Sequence, residues 1–112
     1  MTENIKKLKE QYPEIAESYE KIADEQYELF AGKMLDYGKG NISVGSNLET
    51  EEETHVAMTG LWFRINDKIQ RLKQLVLLRK DANVKTESIK DTFQDLSIYG
   101  IIAQIVGNGN WK

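Results

Sequence analysis

From Ile98 to Val106 the chain is apolar on nearly every side, interrupted only by Tyr99, Gly100 and Gln104. A helix of that kind has no face for water and has to be covered by other protein. One stripe of it, through Ile98, Ile102 and Ile105, continues backwards through Asp95, Asp91 and Glu87, the three acids being four residues apart. Steps of four stack side chains on one face, about one turn apart. Like charges so placed on an exposed helix repel by roughly 0.2–0.5 kcal/mol per pair. Because acid gives way to aliphatic on the same stripe, these carboxylates are expected to look into the protein or a cleft. A buried carboxylate needs a proton, a cation or a metal beside it. Glu87, Asp91 and Asp95 can therefore ligate one or two divalent ions. The plainer account has Glu87 favouring the helix N-terminus, with Asp91 and Asp95 paired to Lys90 or to basic residues of a neighbour.

The length suits one domain over residues 1–112, with a single modest core. Forty per cent hydrophobic residues and a single proline fit an ordered helical protein. No stretch approaches the ~20 consecutive apolar residues of a membrane span. The first residues, Met-Thr-Glu-Asn-Ile-Lys-Lys, lead into no apolar signal core, so a cytoplasmic location is expected. Without cysteine there is no disulfide, thiolate site or cysteine nucleophile. The lone His55 excludes a histidine-only metal site, so any metal would be held by carboxylates, favouring Mg²⁺ or Mn²⁺. A net charge of −3 disfavours direct nucleic-acid binding, while local basic clusters can still hold a nucleotide phosphate.

Helical periodicity orders the rest of the chain. Residues 1–12 form a short helix with Ile5, Leu8 and Tyr12 on one side. Pro13 suits the first turn of a second helix, in which Ile15, Tyr19, Ile22, Leu29, Phe30 and Met34 recur up to about Asp36. The Gly-, Asn- and Ser-rich run Asp36–Asn47 reads as a loop. A third helix is expected from Glu51 to Arg79, capped by Thr50, with an apolar stripe of Met58, Leu61, Ile65, Ile69, Leu72 and Val76. Gly60, Phe63, Arg64, Asp67 and Arg71 fall on the opposite side. Thr86 is the expected cap of the last helix and Gly107 its stop, with the tail loose unless Trp111 docks. The expected architecture is all-α: a bundle of three long helices plus a short N-terminal one. Its thin core further predicts a homo-oligomer that buries Ile98, Ile101, Ile102 and Ile105.

Two more segments carry candidate chemistry. In Arg64-Ile65-Asn66-Asp67-Lys68-Ile69-Gln70-Arg71-Leu72, Asp67 adds a carboxylate from a second helix, and Arg64, Lys68 and Arg71 suit phosphate oxygens. A solvated face laced with ion pairs explains the same residues. In Lys33-x-x-Asp36-Tyr37-Gly38-x-x-Asn41, backbone N–H groups can meet phosphate and Tyr37 can stack on a base. A plain helix C-cap with Gly38 left-handed is the simpler account, and the lysine–serine ending of a P-loop is missing. For Glu51-Glu52-Glu53, attraction to the helix dipole suffices.

Taken in order, Lys33-x-x-Asp36-Tyr37-Gly38-x-x-Asn41, Arg64-Ile65-Asn66-Asp67-Lys68-x-x-Arg71-Leu72 and Glu87-Ser88-Ile89-x-Asp91-Thr92-x-x-Asp95-Leu96-x-x-Tyr99-Gly100 resemble the nucleotide modification associated domain family. These are small helical proteins common in bacteriophage genomes, and the resemblance covers about residues 29–106. The layout is also similar to the MazG-like all-α nucleoside triphosphate pyrophosphatases, which hold Mg²⁺ between acids of neighbouring helices. The resemblance implies a Mg²⁺-dependent (deoxy)nucleoside triphosphate pyrophosphohydrolase, placed in the host cytoplasm if phage-encoded. On that reading Asp67, Glu87 and Asp91 are catalytic, and with Asp95 they are the metal ligands. Arg64, Lys68 and Arg71 neutralise the polyphosphate, while Lys33, Tyr37, Asn41 and Tyr99 meet the rest of the nucleotide. The chain differs from MazG-type enzymes in offering Asp67 among basic residues where they carry a dense acidic row. Two alternatives stay open: a non-catalytic binder that sequesters a nucleotide or cyclic-nucleotide signal, and a helical self-assembly module.

Overall fold

In the computed structural model, residues 2–83 and 88–112 are described. All regular structure among them is helical, as five α-helices and one π-helical turn. The chain divides into two compact units at Asp36/Tyr37.

The first unit holds α1 (Glu3–Gln11) and nearly all of α2 (Pro13–Tyr37). Thr2 caps α1 by accepting from the Ile5 N–H at 3.3 Å. Tyr12 leaves helical geometry, and Pro13 opens α2, where its missing N–H costs nothing. Ala16 is buried, and Lys9 pairs with Glu20 at 2.9 Å. Ile15, Tyr19 and Ile22 of the expected apolar stripe stay exposed.

The second unit comprises α3 (Gly40–Ser43), α4 (Glu51–Leu72), a π-helical turn (Lys73–Leu77) and α5 (Ile89–Gly107). The expected loop at 36–47 thus contains a helical turn, and its Ile42 and Ser43 are buried. Gly38 takes φ +73°, the left-handed stop of α2, as the C-cap account requires. Thr50 caps α4 as expected, and Glu53 completes a reciprocal capping box. Instead of running to Arg79, α4 gives way to the π turn, where the Leu78 N–H reaches the Lys73 carbonyl at 3.1 Å. Arg79 then leaves the helix at φ 55°.

Ser88, not Thr86, is the N-cap of α5; Thr86 and Glu87 lie outside the described residues. The far end also differs from expectation, because Gly107 is still helical. Gly109, at φ +81°, makes the turn: its N–H meets the Val106 carbonyl, and the Asn110 N–H meets that of Ile105. That is a Schellman stop, and it needs a residue that tolerates positive φ. It turns Trp111 back onto the fold, 6% exposed, with Nε1 donating to the Lys39 carbonyl at 3.1 Å.

The pairing of α4 with α5 forms the centre of this unit. It is antiparallel: Arg71 bonds Thr92, Lys68 pairs with Asp95, and a Cβ on Gly107 would sit 3.5 Å from the Met58 methyl. Ala57 and Leu61 are buried on α4, Leu75 on the π turn, and Thr92, Ile98, Ile102 and Val106 on α5. The buried seam of α4 is therefore turned by roughly a quarter of a turn from its most apolar stripe, at about 100° per residue. Ile69 and Val76 of that stripe stay exposed, whereas Arg64 and Arg71, expected on the outer side, are half-buried. Phe63 and Asp67 do face outward. Ile98 and Ile102 are buried within the chain itself, so no second copy is needed to cover them; Ile101 is exposed.

Candidate functional site: a polar seam between two helices

The inner face of α4 repeats at steps of three and four through Ala57, Leu61, Arg64, Lys68 and Arg71, and Leu75 of the π turn continues it. Three long cations thus occupy seam positions between buried aliphatics. Their stems can cover apolar surface while the charged heads reach for water or an anion. The seam changes character along its length. Ala57 and Leu61 lie at the end where α5 presents Ile102 and Val106, while Lys68 and Arg71 lie at the end where it presents Asp95 and Thr92.

Lys68 Nζ stands 3.0 Å from Asp95 Oδ2, with both side chains about one-quarter exposed (23% and 25%). Asp95 therefore looks into the protein and finds a cation there. Arg71 Nε donates to Thr92 Oγ1 at 3.2 Å, and Thr92 Oγ1 donates to the Ser88 carbonyl at 2.9 Å. Arg64 is spent differently: its Nη2 donates to the Asn41 carbonyl at 2.8 Å, tying α3 to α4.

Asp91 turns back on its own helix end. Its Oδ2 accepts from the Ser88 hydroxyl at 2.7 Å and from the Ser88 N–H at 3.0 Å. The Ser88 hydroxyl bond, and after it the backbone bond, hold the Asp91 carboxyl below its ordinary range, with smaller help from Lys90 and Arg71. Asp67 is exposed on α4, and Glu87 falls outside the described residues. Among the described residues, no group of three or more His, Cys, Asp or Glu is placed to hold a metal ion.

Lys33, Tyr37 and Asn41 are exposed, and Tyr99 is half-buried on α5. Around α3 the backbone is braced at two non-glycine positions of positive φ, Val44 (56°) and Leu48 (53°). Such residues cost on the order of 1–2 kcal/mol each and persist only where their surroundings enforce them. Ser46 supplies part of that enforcement, donating to the Ser43 carbonyl and accepting from the Leu48 N–H.

Two features escaped sequence reasoning. Thr92, 1% exposed, is the polar node of the seam. A Ser-x-x-Asp capping pattern at Ser88 would have started α5 at Ile89 and put Thr92 on the same face as Asp95. The second is a cleft of about 450 Å³ at the apolar end, lined by Lys39, Leu48, Thr54, Val106, Trp111 and Lys112 among others. It lies roughly 25 Å along α4 from Arg71, at about 1.5 Å per residue.

The second unit is thus an antiparallel helix pair whose seam is apolar at one end and charged at the other. No family model matches this chain, and neither does any curated protein or solved structure.

Proposed function

We propose that the protein binds a nucleotide, with its phosphates at the polar end of the α4–α5 seam. The observation that carries this reading is Lys68 and Arg71 together on a half-buried helix face, one turn along from Arg64. A cation between packed helices interacts with an anion more strongly than one on an open surface, because solvent screens it less. Arginine also offers phosphate a planar fork of donors. The motif resemblance to nucleotide modification associated proteins agrees with this. Tyr37, Asn41 and Tyr99 are the residues assigned to base and sugar.

A second reading makes the protein a (deoxy)nucleoside triphosphate pyrophosphohydrolase, with Mg²⁺ or Mn²⁺ on Asp67, Glu87, Asp91 and Asp95. The motif resemblance and the acids on two neighbouring helices motivate it, since Mg²⁺ and Mn²⁺ take oxygen ligands. Against it, Asp91 is engaged by Ser88 and Asp95 by Lys68, so the described residues do not form a ready cation cage. When bound, such an ion would polarise the phosphates.

We also propose that copies of the chain assemble into a homo-oligomeric helical bundle. Trp62 and Ile69 on α4, Val76 on the π turn, and Phe93 and Ile101 on α5 leave exposed apolar surface that a second copy would cover. No described helix is long and apolar enough to cross a membrane.

The test is a thermal-shift panel of dNTPs, NTPs and cyclic nucleotides, each with Mg²⁺ and with EDTA, followed by chromatography of the nucleotide. A ligand held at 100 times its Kd stabilises the fold by about 2.7 kcal/mol. Stabilisation with the nucleotide recovered unchanged establishes a binder. Monophosphate and pyrophosphate appearing only with Mg²⁺ establishes the enzyme. A flat panel overturns both and leaves self-assembly as the function.

A further inference from the structure

Thr92 has more to do in the seam than fill space. A hydroxyl carries one proton and two lone pairs. In Thr92 the proton goes to the Ser88 carbonyl at 2.9 Å, so a lone pair is left for the Nε–H of Arg71 at 3.2 Å. The Ser88 carbonyl is itself fixed: it also accepts from the Thr92 N–H at 3.0 Å, and Ser88 is locked to Asp91 by the capping box. Orientation therefore passes from the cap of α5 to the Thr92 hydroxyl, and from there across the seam to Arg71.

A guanidinium is planar, so holding its Nε–H in one direction restricts the plane of the whole group. A serine or threonine inside a helix commonly bonds the carbonyl four residues back, which accounts for the bond to Ser88 but not for the one to Arg71. The threonine methyl packs in a position that is almost fully buried, while the hydroxyl makes both bonds. We infer that Thr92 is a positioning residue, whose buried hydroxyl sets the plane in which Arg71 meets the phosphate oxygens of the nucleotide. This inference rests on the nucleotide-binding reading above.

The test uses the full chain and inorganic triphosphate as the probe, with affinity measured by titration calorimetry. Thr92→Val removes the hydroxyl at nearly constant shape and is expected to weaken binding about tenfold, the scale of one charge-assisted hydrogen bond. Thr92→Ser restores the hydroxyl and should bind within about twofold of the parent, since the two bonds are kept. Arg71→Lys keeps the charge without an Nε–H for Thr92, leaves Thr92 intact, and should lose about as much as Thr92→Val. In an Arg71→Ala background, Thr92→Val should change nothing further.

A ligand-free readout separates the two ideas. The Arg71 Nε–H proton resonance should exchange slowly with water in the parent and in Thr92→Ser, and rapidly in Thr92→Val. Unchanged affinity in Thr92→Val overturns the inference, as does an equal loss in the Arg71→Ala background. So does an Nε–H resonance that ignores Thr92. If the resonance responds as expected but the parent binds no triphosphate, the nucleotide reading fails, and the positioning role fails with it.

Discussion

The two ends of the α4–α5 pair are made from the same two helices but held together differently. At one end Ala57, Leu61, Ile102 and Val106 are buried, and Trp111 of the C-terminal turn, also buried, lines a cleft with Val106. At the other, Thr92 is buried while Lys68, Arg71, Asp91 and Asp95 keep partial access to water. Apolar burial is insensitive to salt and pH and has no alternative partner to turn to. A partly exposed ion pair is weaker, screened, and able to exchange a carboxylate for a phosphate. The apolar end therefore secures the pairing, and the polar end is free to do chemistry.

That contrast can be broken most severely at Leu61. Leu61→Ala is expected to cost about 3 kcal/mol in urea unfolding, the range for a buried leucine; a loss below ~1 kcal/mol, well under that range, would mean the seam is not the core. Trp111→Phe keeps an aromatic ring but deletes the bond to the Lys39 carbonyl, so a loss of about 1 kcal/mol is expected. If that variant matches the parent, the C-terminal latch contributes nothing beyond its ring.

At the polar end, Ser88→Ala removes the cap of α5 and should cost about 1 kcal/mol at neutral pH. It should also flatten the acid limb of stability against pH. The Asp91 carboxyl is lower in the folded chain than in the unfolded one, so its contribution is complete above the ordinary carboxylate range. It is lost as pH falls through the folded value. An acid limb of unchanged steepness in Ser88→Ala would show that Ser88 does not set the Asp91 pKa.

The smallest effect belongs to the Lys68–Asp95 pair. A double-mutant cycle with Lys68→Met and Asp95→Asn should give a coupling of about 0.5 kcal/mol that shrinks with added salt. A coupling several times larger and indifferent to salt would make the polar end a structural lock rather than an exchangeable one.

Local chemistry was legible in advance. Thr50 acts through a bond within its own first turn, and Pro13 and Gly38 through their own backbone angles, so each is a local device, and the structure has them in those roles. Where two residues offered the same local signal, the nearer contest was misjudged: Ser88 over Thr86 as cap, Gly109 over Gly107 as stop. Arg79 at positive φ carries no sequence signal, since arginine is not the residue that position favours.

The rotation of α4 was not legible either. Periodicity finds the stripe with the most apolar atoms, through Ile65, Ile69, Leu72 and Val76. Contact with α5 instead selects the stripe whose small and long side chains interlock with it, where Ala57 disappears and the stems of Arg64, Lys68 and Arg71 lie along the seam. The same rotation brought Asp95 to Lys68 and Thr92 to Arg71, pairings between positions more than twenty residues apart.

The sequence alone thus determined that the chain is helical, that Thr50 opens α4 and Gly38 ends α2, and that acids and cations share faces with aliphatics, because those properties follow from spacing within a turn or two. Only the tertiary structure decided which faces meet, that Asp95 pairs with Lys68, and that Arg71 meets Thr92. Those outcomes depend on the fit between two helix surfaces, and no single helix encodes the shape of its partner.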